Sequence, residues 1–147
     1  MSTVPMVLMA IHLLGLSLGV GSATVKLVLL FKSKANTEFL PVYFMVAKSI
    51  TRLIIMGMIL LTLSGIGFLF VGYSFTTLFI IKLVLVGLMW VIGPVIDNVV
   101  EPKFEKLIPS QGETPTPEFV RIRKKYLILE VTATGLMYAI TIIGAML

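Results

Sequence analysis

Four apolar stretches dominate this chain, and each is long enough to cross a lipid bilayer as a helix. They cover about 4–31, 49–73, 75–98 and 126–147. A hydrocarbon core about 30 Å thick needs roughly 20 apolar residues per helix. Of the 147 residues, 58% are hydrophobic and 13% are charged, too few polar residues to cover a soluble domain. The sequence predicts an all-α fold, an integral membrane up-down four-helix bundle that forms a single domain over 1–147.

The connections between these stretches differ in length and character. The second stretch is clearly apolar from Leu53 and has an amphipathic lead-in from near Pro41. Only residues 72–74 are available for the turn between the second and third stretches, which predicts a tight antiparallel hairpin. The other connections, 32–48 and 99–125, are polar, and prolines in the second of them predict an irregular middle.

Basic residues are concentrated in and beside these two polar connections. All lysines and arginines except Lys26 and Lys82 belong to this group: Lys32, Lys34, Lys48, Arg52, Lys103, Lys106, Arg121, Arg123, Lys124 and Lys125. The positive-inside rule places both connections in the cytoplasm and both termini on the non-cytoplasmic side. We expect an integral protein of a bacterial or archaeal cytoplasmic membrane, the cell inner membrane. The net charge of +5 then indicates contact with anionic lipid headgroups and no nucleic-acid partner.

Ionisable residues inside apolar stretches are costly and mark candidate functional positions. Five side chains fit this description: His12, Lys26, Lys82, Asp97 and Glu130. The absence of cysteine excludes disulfides, thiolate metal sites and iron–sulfur clusters, and a single histidine makes an ordinary zinc site implausible within one chain.

The first stretch carries one small, polar helical face. His12, Gly15, Gly19, Ser22 and Lys26 follow one another at spacings of 3, 4, 3 and 4, so the face is expected to point into the bundle. Gly15 and Gly19 form a G-x-x-x-G motif, which favours close helix packing. The alternative is that these glycines make room for a flat cofactor beside His12.

His12 and Lys82 are predicted to lie at the same depth. With a rise of 1.5 Å per residue, His12 is about 12 Å and Lys82 about 10 Å from the outer ends of their stretches. The first and third helices of an up-down bundle are parallel and diagonal, so the two side chains would face each other across the centre. A planar cofactor could bind between them.

A second polar cluster is predicted near the cytoplasmic boundary. Lys26, Arg52, Asp97 and Glu130 all fall within about two turns of it. Structural ion pairs with interfacial snorkelling are the favoured interpretation. The alternatives are a proton path and a site for a propionate or a lipid headgroup.

The segment from Ile11 to Val86 resembles small four-helix membrane proteins that include the HemJ-type protoporphyrinogen oxidases and the CopD-like domains. The resemblance is carried by His12, the G-V-G-S of 19–22, the L-L-T-L-S-G of 60–65 and the Lys82–Leu83 pair. It implies a b-type haem, with His12 and Lys82 as ligands of the haem iron. CopD-like proteins suggest copper transport, for which one histidine and no cysteine offer few ligands.

Three functional hypotheses follow. The first is a membrane haem b protein with a redox role, an oxidoreductase that oxidises a porphyrinogen or exchanges electrons with a quinone. The second is a non-catalytic accessory subunit in a larger membrane complex, and the third is a small transporter or channel. A homodimer is compatible with the first, since a second copy would supply another His12.

Overall fold

The computed structural model describes residues 3–72 and 74–147, and every regular element in them is helical. Four rods, 3–35, 37–70, 77–106 and 117–145, are long and apolar enough to cross a membrane. This confirms the predicted all-α fold with four long apolar helices. The elements are α1 (Thr3–Ala35), a 3-10 turn (Thr37–Phe39), α2 (Leu40–Phe70), α3 (Thr77–Val95), a π-helical turn (Ile96–Val100), α4 (Glu101–Lys106) and α5 (Pro117–Ala145).

Side-chain caps fix where two of the long helices begin. The hydroxyl of Thr76 accepts a hydrogen bond from the amide of Phe79 at the start of α3. Thr116 caps α5 in the same way through Phe119, and Pro117 occupies the first turn, where a missing amide hydrogen costs nothing.

The helices are longer than the apolar stretches at the end that carries most of the basic residues, which we call the charged end. α2 begins at Leu40, so most of the connection predicted over 32–48 is helical. The irregular part of the connection predicted over 99–125 is confined to 107–116. The helices extend past the apolar stretches because backbone hydrogen bonds continue a helix through amphipathic sequence, as the lead-in predicted from near Pro41 indicates.

Pro94 lies inside α3, which continues past it directly into the π-helical turn. The side-chain amide of Asn98 donates to the carbonyl oxygen of Pro94 over 2.9 Å. Of the hairpin predicted over 72–74, Tyr73 lies outside the described residues, and Gly72 has a φ of +96°, which a glycine adopts without strain.

The four rods alternate in direction. Along α1, Leu8 meets Gly67 of α2 and Gly19 meets Gly57, so the two helices are antiparallel. α3 packs against α5, and α1 also contacts α5. α2 and α3 follow one another in the chain without close backbone packing, which leaves a groove between them.

The best-buried core lies at the charged end. Six large side chains there are at most 1% exposed: Leu40, Tyr43, Phe44, Phe104, Phe119 and Tyr126. Elsewhere the rods expose large apolar side chains, including Leu14 at 61%, Leu63 at 60% and Phe70 at 87%. Apolar surface this extensive is typical of a face covered by lipid or by another protein.

Candidate functional site

His12 is fixed by a hydrogen bond to the next helix. Its Nδ1 lies 2.9 Å from Oγ of Ser64, and its ring packs edge-on against Phe68 at 5.9 Å between centroids. The same Ser64 hydroxyl lies 2.6 Å from the carbonyl oxygen of Leu60 and 3.2 Å from that of Leu61. Ser64 and Phe68 of α2 therefore hold the imidazole of His12 in place near the N-terminal end of α1. The His12 side chain is half-buried there.

The hydrogen bonds of Ser64 determine which nitrogen of His12 carries the proton. A serine hydroxyl has one hydrogen, and a carbonyl oxygen can only accept, so Ser64 donates within its own helix. Ser64 must then accept from Nδ1 of His12. The proton of the neutral imidazole is thus on Nδ1, and Nε2 keeps its lone pair.

Lys82 of α3 reaches toward α5. A Cβ placed on Gly144 would be 3.0 Å from Nζ of Lys82, so the missing side chain leaves room for the amine. Lys82 is half-buried. Among the described residues Lys82 makes neither a hydrogen bond nor an ion pair.

Gly15 and Gly19 are helix contacts. A Cβ on Gly15 would lie 2.9 Å from the amide nitrogen of Leu61 and 3.0 Å from the carbonyl oxygen of Gly57. Gly19 faces Gly57 and the methyl end of Met137. This is the close packing that the G-x-x-x-G motif favoured, and the space beside these two glycines is filled by α2 and α5.

Three carboxyl groups surround the ammonium of Lys26. Nζ lies 3.3 Å from Oδ1 of Asp97, 3.0 Å from Oε2 of Glu101 and 2.8 Å from Oε1 of Glu130. We call these four residues the Lys26 cluster. The three carboxyl groups have oxygens within 4.8 Å of one another, a spacing that could hold a metal ion, but Nζ of Lys26 already lies among them.

The cluster is assembled from separate rods. Lys26 comes from α1, Glu130 from α5, and Asp97 and Glu101 from the π-helical turn and the first residue of α4. In a π-helical turn the backbone hydrogen bonds span five residues and not four, so the turn contains about one extra residue. Such turns are frequent at functional sites. Here the turn lies at the point where the third rod contributes both of its carboxylates.

Two tyrosine hydroxyls extend the cluster into the core at the charged end. The hydroxyl of Tyr126 donates to Oε2 of Glu101 over 2.8 Å. Its single hydrogen is thereby used, so the Tyr43 hydroxyl, 2.9 Å away, donates to the oxygen of Tyr126. Both phenols are fully buried, and Lys26 lies 5.9 Å above the ring of Tyr126.

The structure brings together three of the four residues predicted for the inner polar cluster. Lys26, Asp97 and Glu130 are in contact, whereas Arg52 is exposed and makes no ion pair within the described chain. Arg52 instead lines the groove between α2 and the third rod, which has a volume of about 390 Å³. Asp97 and Glu101 line the same groove.

Sequence reasoning missed Glu101 and the two tyrosines. Glu101 falls in the connection predicted over 99–125, and the two tyrosines are not among the ionisable residues that the apolar stretches make conspicuous. The helical spacing of four that relates Asp97 to Glu101 and Tyr126 to Glu130 was the available signal, since it places each pair on one face.

Comparison with protein-family models, with curated proteins and with solved structures finds no match to this chain.

Proposed function

We propose that this chain is an integral membrane protein that binds a b-type haem through His12 and Lys82 and uses it in a redox reaction. In this proposal the chain crosses the membrane four times, with the charged end in the cytoplasm and both termini outside. The substrate class is a porphyrinogen or a membrane quinone, both of which are apolar enough to arrive from the lipid.

Membrane insertion is supported by what the rods expose. Apolar side chains face outward along all four, and the charged groups within the apolar stretches turn toward other rods. Every lysine and arginine other than Lys26 and Lys82 belongs to the charged end, the distribution that positive-inside topology requires.

The hydrogen bond between His12 and Ser64 carries the haem proposal. Histidine ligands of metals donate one ring N–H to a neighbouring acceptor, which fixes the tautomer and leaves the other nitrogen to coordinate. His12 has this arrangement, with Nδ1 committed to Ser64 and no partner for Nε2 among the described residues.

Lys82 supplies the complementary donor. A coordinating amine has to be uncharged, and burial away from water favours that form. Lys82 is half-buried beside Gly144 and, among the described residues, has no carboxylate that would hold it as an ammonium. An imidazole nitrogen and an amine, neither with a partner among the described residues, are the two donors that would hold a haem iron.

When bound, haem would supply one-electron redox chemistry. The chain itself would contribute three things: His12 and Lys82 as ligands, Ser64 as the residue that orients the imidazole, and apolar rods that keep water away from the bound group.

Absorption spectroscopy of the purified protein tests this proposal. The protein in detergent, as isolated or after addition of one equivalent of hemin, should show a Soret band that is lost in His12→Ala and shifted or weakened in Lys82→Ala. Lys103→Ala, which alters an exposed lysine, should retain the spectrum of the unmodified protein.

A protein that binds no hemin, or a Soret band unchanged by His12→Ala, would refute the haem assignment. A colourless chain that copurifies with other membrane proteins would then favour the accessory-subunit alternative.

A further inference from the structure

The groove between α2 and the third rod begins at the charged end. Its volume of about 390 Å³ is within the range of small-ligand sites in proteins. On α2 the lining runs from Lys48 to Met58, about 15 Å at 1.5 Å per residue, which is half the thickness of a hydrocarbon core. At its inner end Nε1 of Trp90 donates to Oγ1 of Thr62 over 3.1 Å, so a hydrogen bond joins α2 and α3 there. In the proposed topology the groove therefore extends through one leaflet.

The lining changes from charged to apolar along the groove. Five charged side chains line the part at the charged end: Lys48, Arg52, Asp97, Glu101 and Glu105. Apolar side chains line the part farther from it, among them Ile54, Ile55, Met58, Met89 and Trp90. A ligand that matches this lining has a charged group at one end and an apolar chain at the other.

Arg52 is the free cation of the groove. Within the described chain the other four charged side chains of the lining are in ion pairs, and Arg52 is in none. A guanidinium group is always charged and binds two phosphate oxygens at once. Its neighbour Thr51 also lines the groove, and the buried hydroxyl oxygen of Thr51 has no hydrogen-bond partner. The α2 wall thus has uncommitted donors at the level where a lipid phosphate would lie.

Asp97 supplies the opposite charge on the wall formed by the third rod. Its Oδ1 accepts a hydrogen bond from Lys26 over 3.3 Å, whereas Oδ2 accepts none from a described residue. The side chain is 23% exposed and lines the groove. A carboxylate has about four lone-pair sites, so Asp97 can accept from a second ammonium group.

We propose that this groove binds one phospholipid with an ethanolamine headgroup. Its phosphate contacts Arg52, its ammonium group contacts Asp97, and an acyl chain lies beside Met58 and Met89. A choline headgroup has no hydrogen to donate to Asp97, and a glycerol headgroup brings no cation. The inference rests on the proposed membrane insertion and does not depend on the haem.

Native mass spectrometry of the intact protein, titrated in detergent with defined lipids, tests the inference. The protein should bind one phosphatidylethanolamine, and bind phosphatidylcholine and phosphatidylglycerol more weakly. Arg52→Ala should weaken phosphatidylethanolamine binding about 10–100-fold, the effect of losing a hydrogen-bonded charge contact. Arg121→Ala is the matched control, because Arg121 is also exposed at the charged end but does not line the groove, and it should keep the affinity.

Two further variants separate the headgroup from the acyl chain. Asp97→Asn should remove the preference for ethanolamine over choline and still bind phospholipid. Gly93→Leu should weaken the binding of all three lipids, because Gly93 lines the groove and a Cβ there meets nothing within 4 Å. Gly87→Leu is its control on the same helix, equally open but outside the lining. Unfolding midpoints of the two glycine variants show whether either loses stability.

The inference is overturned if the unmodified protein binds no phosphatidylethanolamine, or if Arg52→Ala and Arg121→Ala bind it equally. Tighter binding of phosphatidylglycerol would overturn the ethanolamine assignment. Quantitative disulfide dimers of Ile55→Cys in the membrane would show that a second copy covers the groove. Retention of the protein in carbonate-washed membranes checks insertion separately, so failure of lipid binding in a retained protein refutes this inference and not the proposed topology.

Discussion

Gly57 of α2 lies with its Cα directly against the backbone of Gly19 of α1. A Cβ on Gly57 would be 2.6 Å from Cα of Gly19 and 2.7 Å from the carbonyl oxygen of Gly15. Backbone atoms cannot rotate away as the end of a side chain can, so any larger residue must move one helix. The α1–α2 contact therefore depends on this glycine and on the motif that faces it.

Gly57→Ala is predicted to destabilise the protein by about 1–3 kcal/mol, the usual cost of overpacking a tight contact. The measurement is thermal unfolding in detergent, followed by circular dichroism. Gly65→Ala on the same helix is the matched control, because a Cβ there meets nothing within 4 Å. It should leave stability unchanged or raise it by up to about 1 kcal/mol through better helix propensity. Equal effects of the two substitutions would contradict the role assigned to Gly57.

Lys26→Met is predicted to cost about 3–5 kcal/mol of stability, since it leaves buried carboxyl groups without their cation. The control is Lys48→Met, which breaks an exposed pair with Glu105 and should cost no more than about 1 kcal/mol. Unfolding in detergent measures both.

The pH dependence of Lys26→Met follows from proton linkage. Without the ammonium, folding requires the carboxyl groups to take up protons, so the folded variant binds more protons than the unfolded chain. Its stability should then rise as pH falls, relative to the unmodified protein. A penalty that stays constant between pH 8 and about pH 5 would show that the charge of Lys26 is not what the cluster needs.

The apolar stretches were sufficient to predict four long helices, because an apolar segment of about 20 residues satisfies its own backbone hydrogen bonds in a bilayer only as a helix. The inward face of α1 was also predictable, since His12, Gly15, Gly19 and Lys26 recur at helical spacing. The partner of that face was not predictable. Gly57 belongs to no local motif, and its contact with Gly19 arises only once the two helices are packed.

The Lys26 cluster was predicted in part for a similar reason. Lys26, Asp97 and Glu130 lie inside apolar sequence, where a charge is conspicuous. Glu101 lies beyond the apolar stretch, and its position beside Lys26 depends on the π-helical turn that carries the third rod past the predicted limit. A polar residue in polar sequence gives no comparable signal.

The orientation of the chain can be tested with single cysteines, since the native sequence contains none. A membrane-impermeant maleimide added to intact cells should label Ser74→Cys, between α2 and α3. It should label Gln111→Cys, in the 107–116 connection, only after the membrane is permeabilised. The reverse pattern would place the termini in the cytoplasm and contradict the proposed topology.

Ser64→Ala tests whether the bond to His12 prepares the imidazole as a ligand. Removing the acceptor frees the ring to rotate and to change tautomer, so hemin affinity should fall about 10–100-fold while the fold is retained. A spectrophotometric hemin titration of the purified protein measures this affinity.

Ser17→Ala is the matched control, because Ser17 also donates to the carbonyl four residues back but is exposed and has no contact with His12. Because Ser64 also bonds to Leu60, a general loss of helix stability would appear in the unfolding midpoint of both variants. Weaker hemin binding in Ser64→Ala alone, at an unchanged midpoint, is the expected result, and equal affinities of the two variants would remove Ser64 from the site.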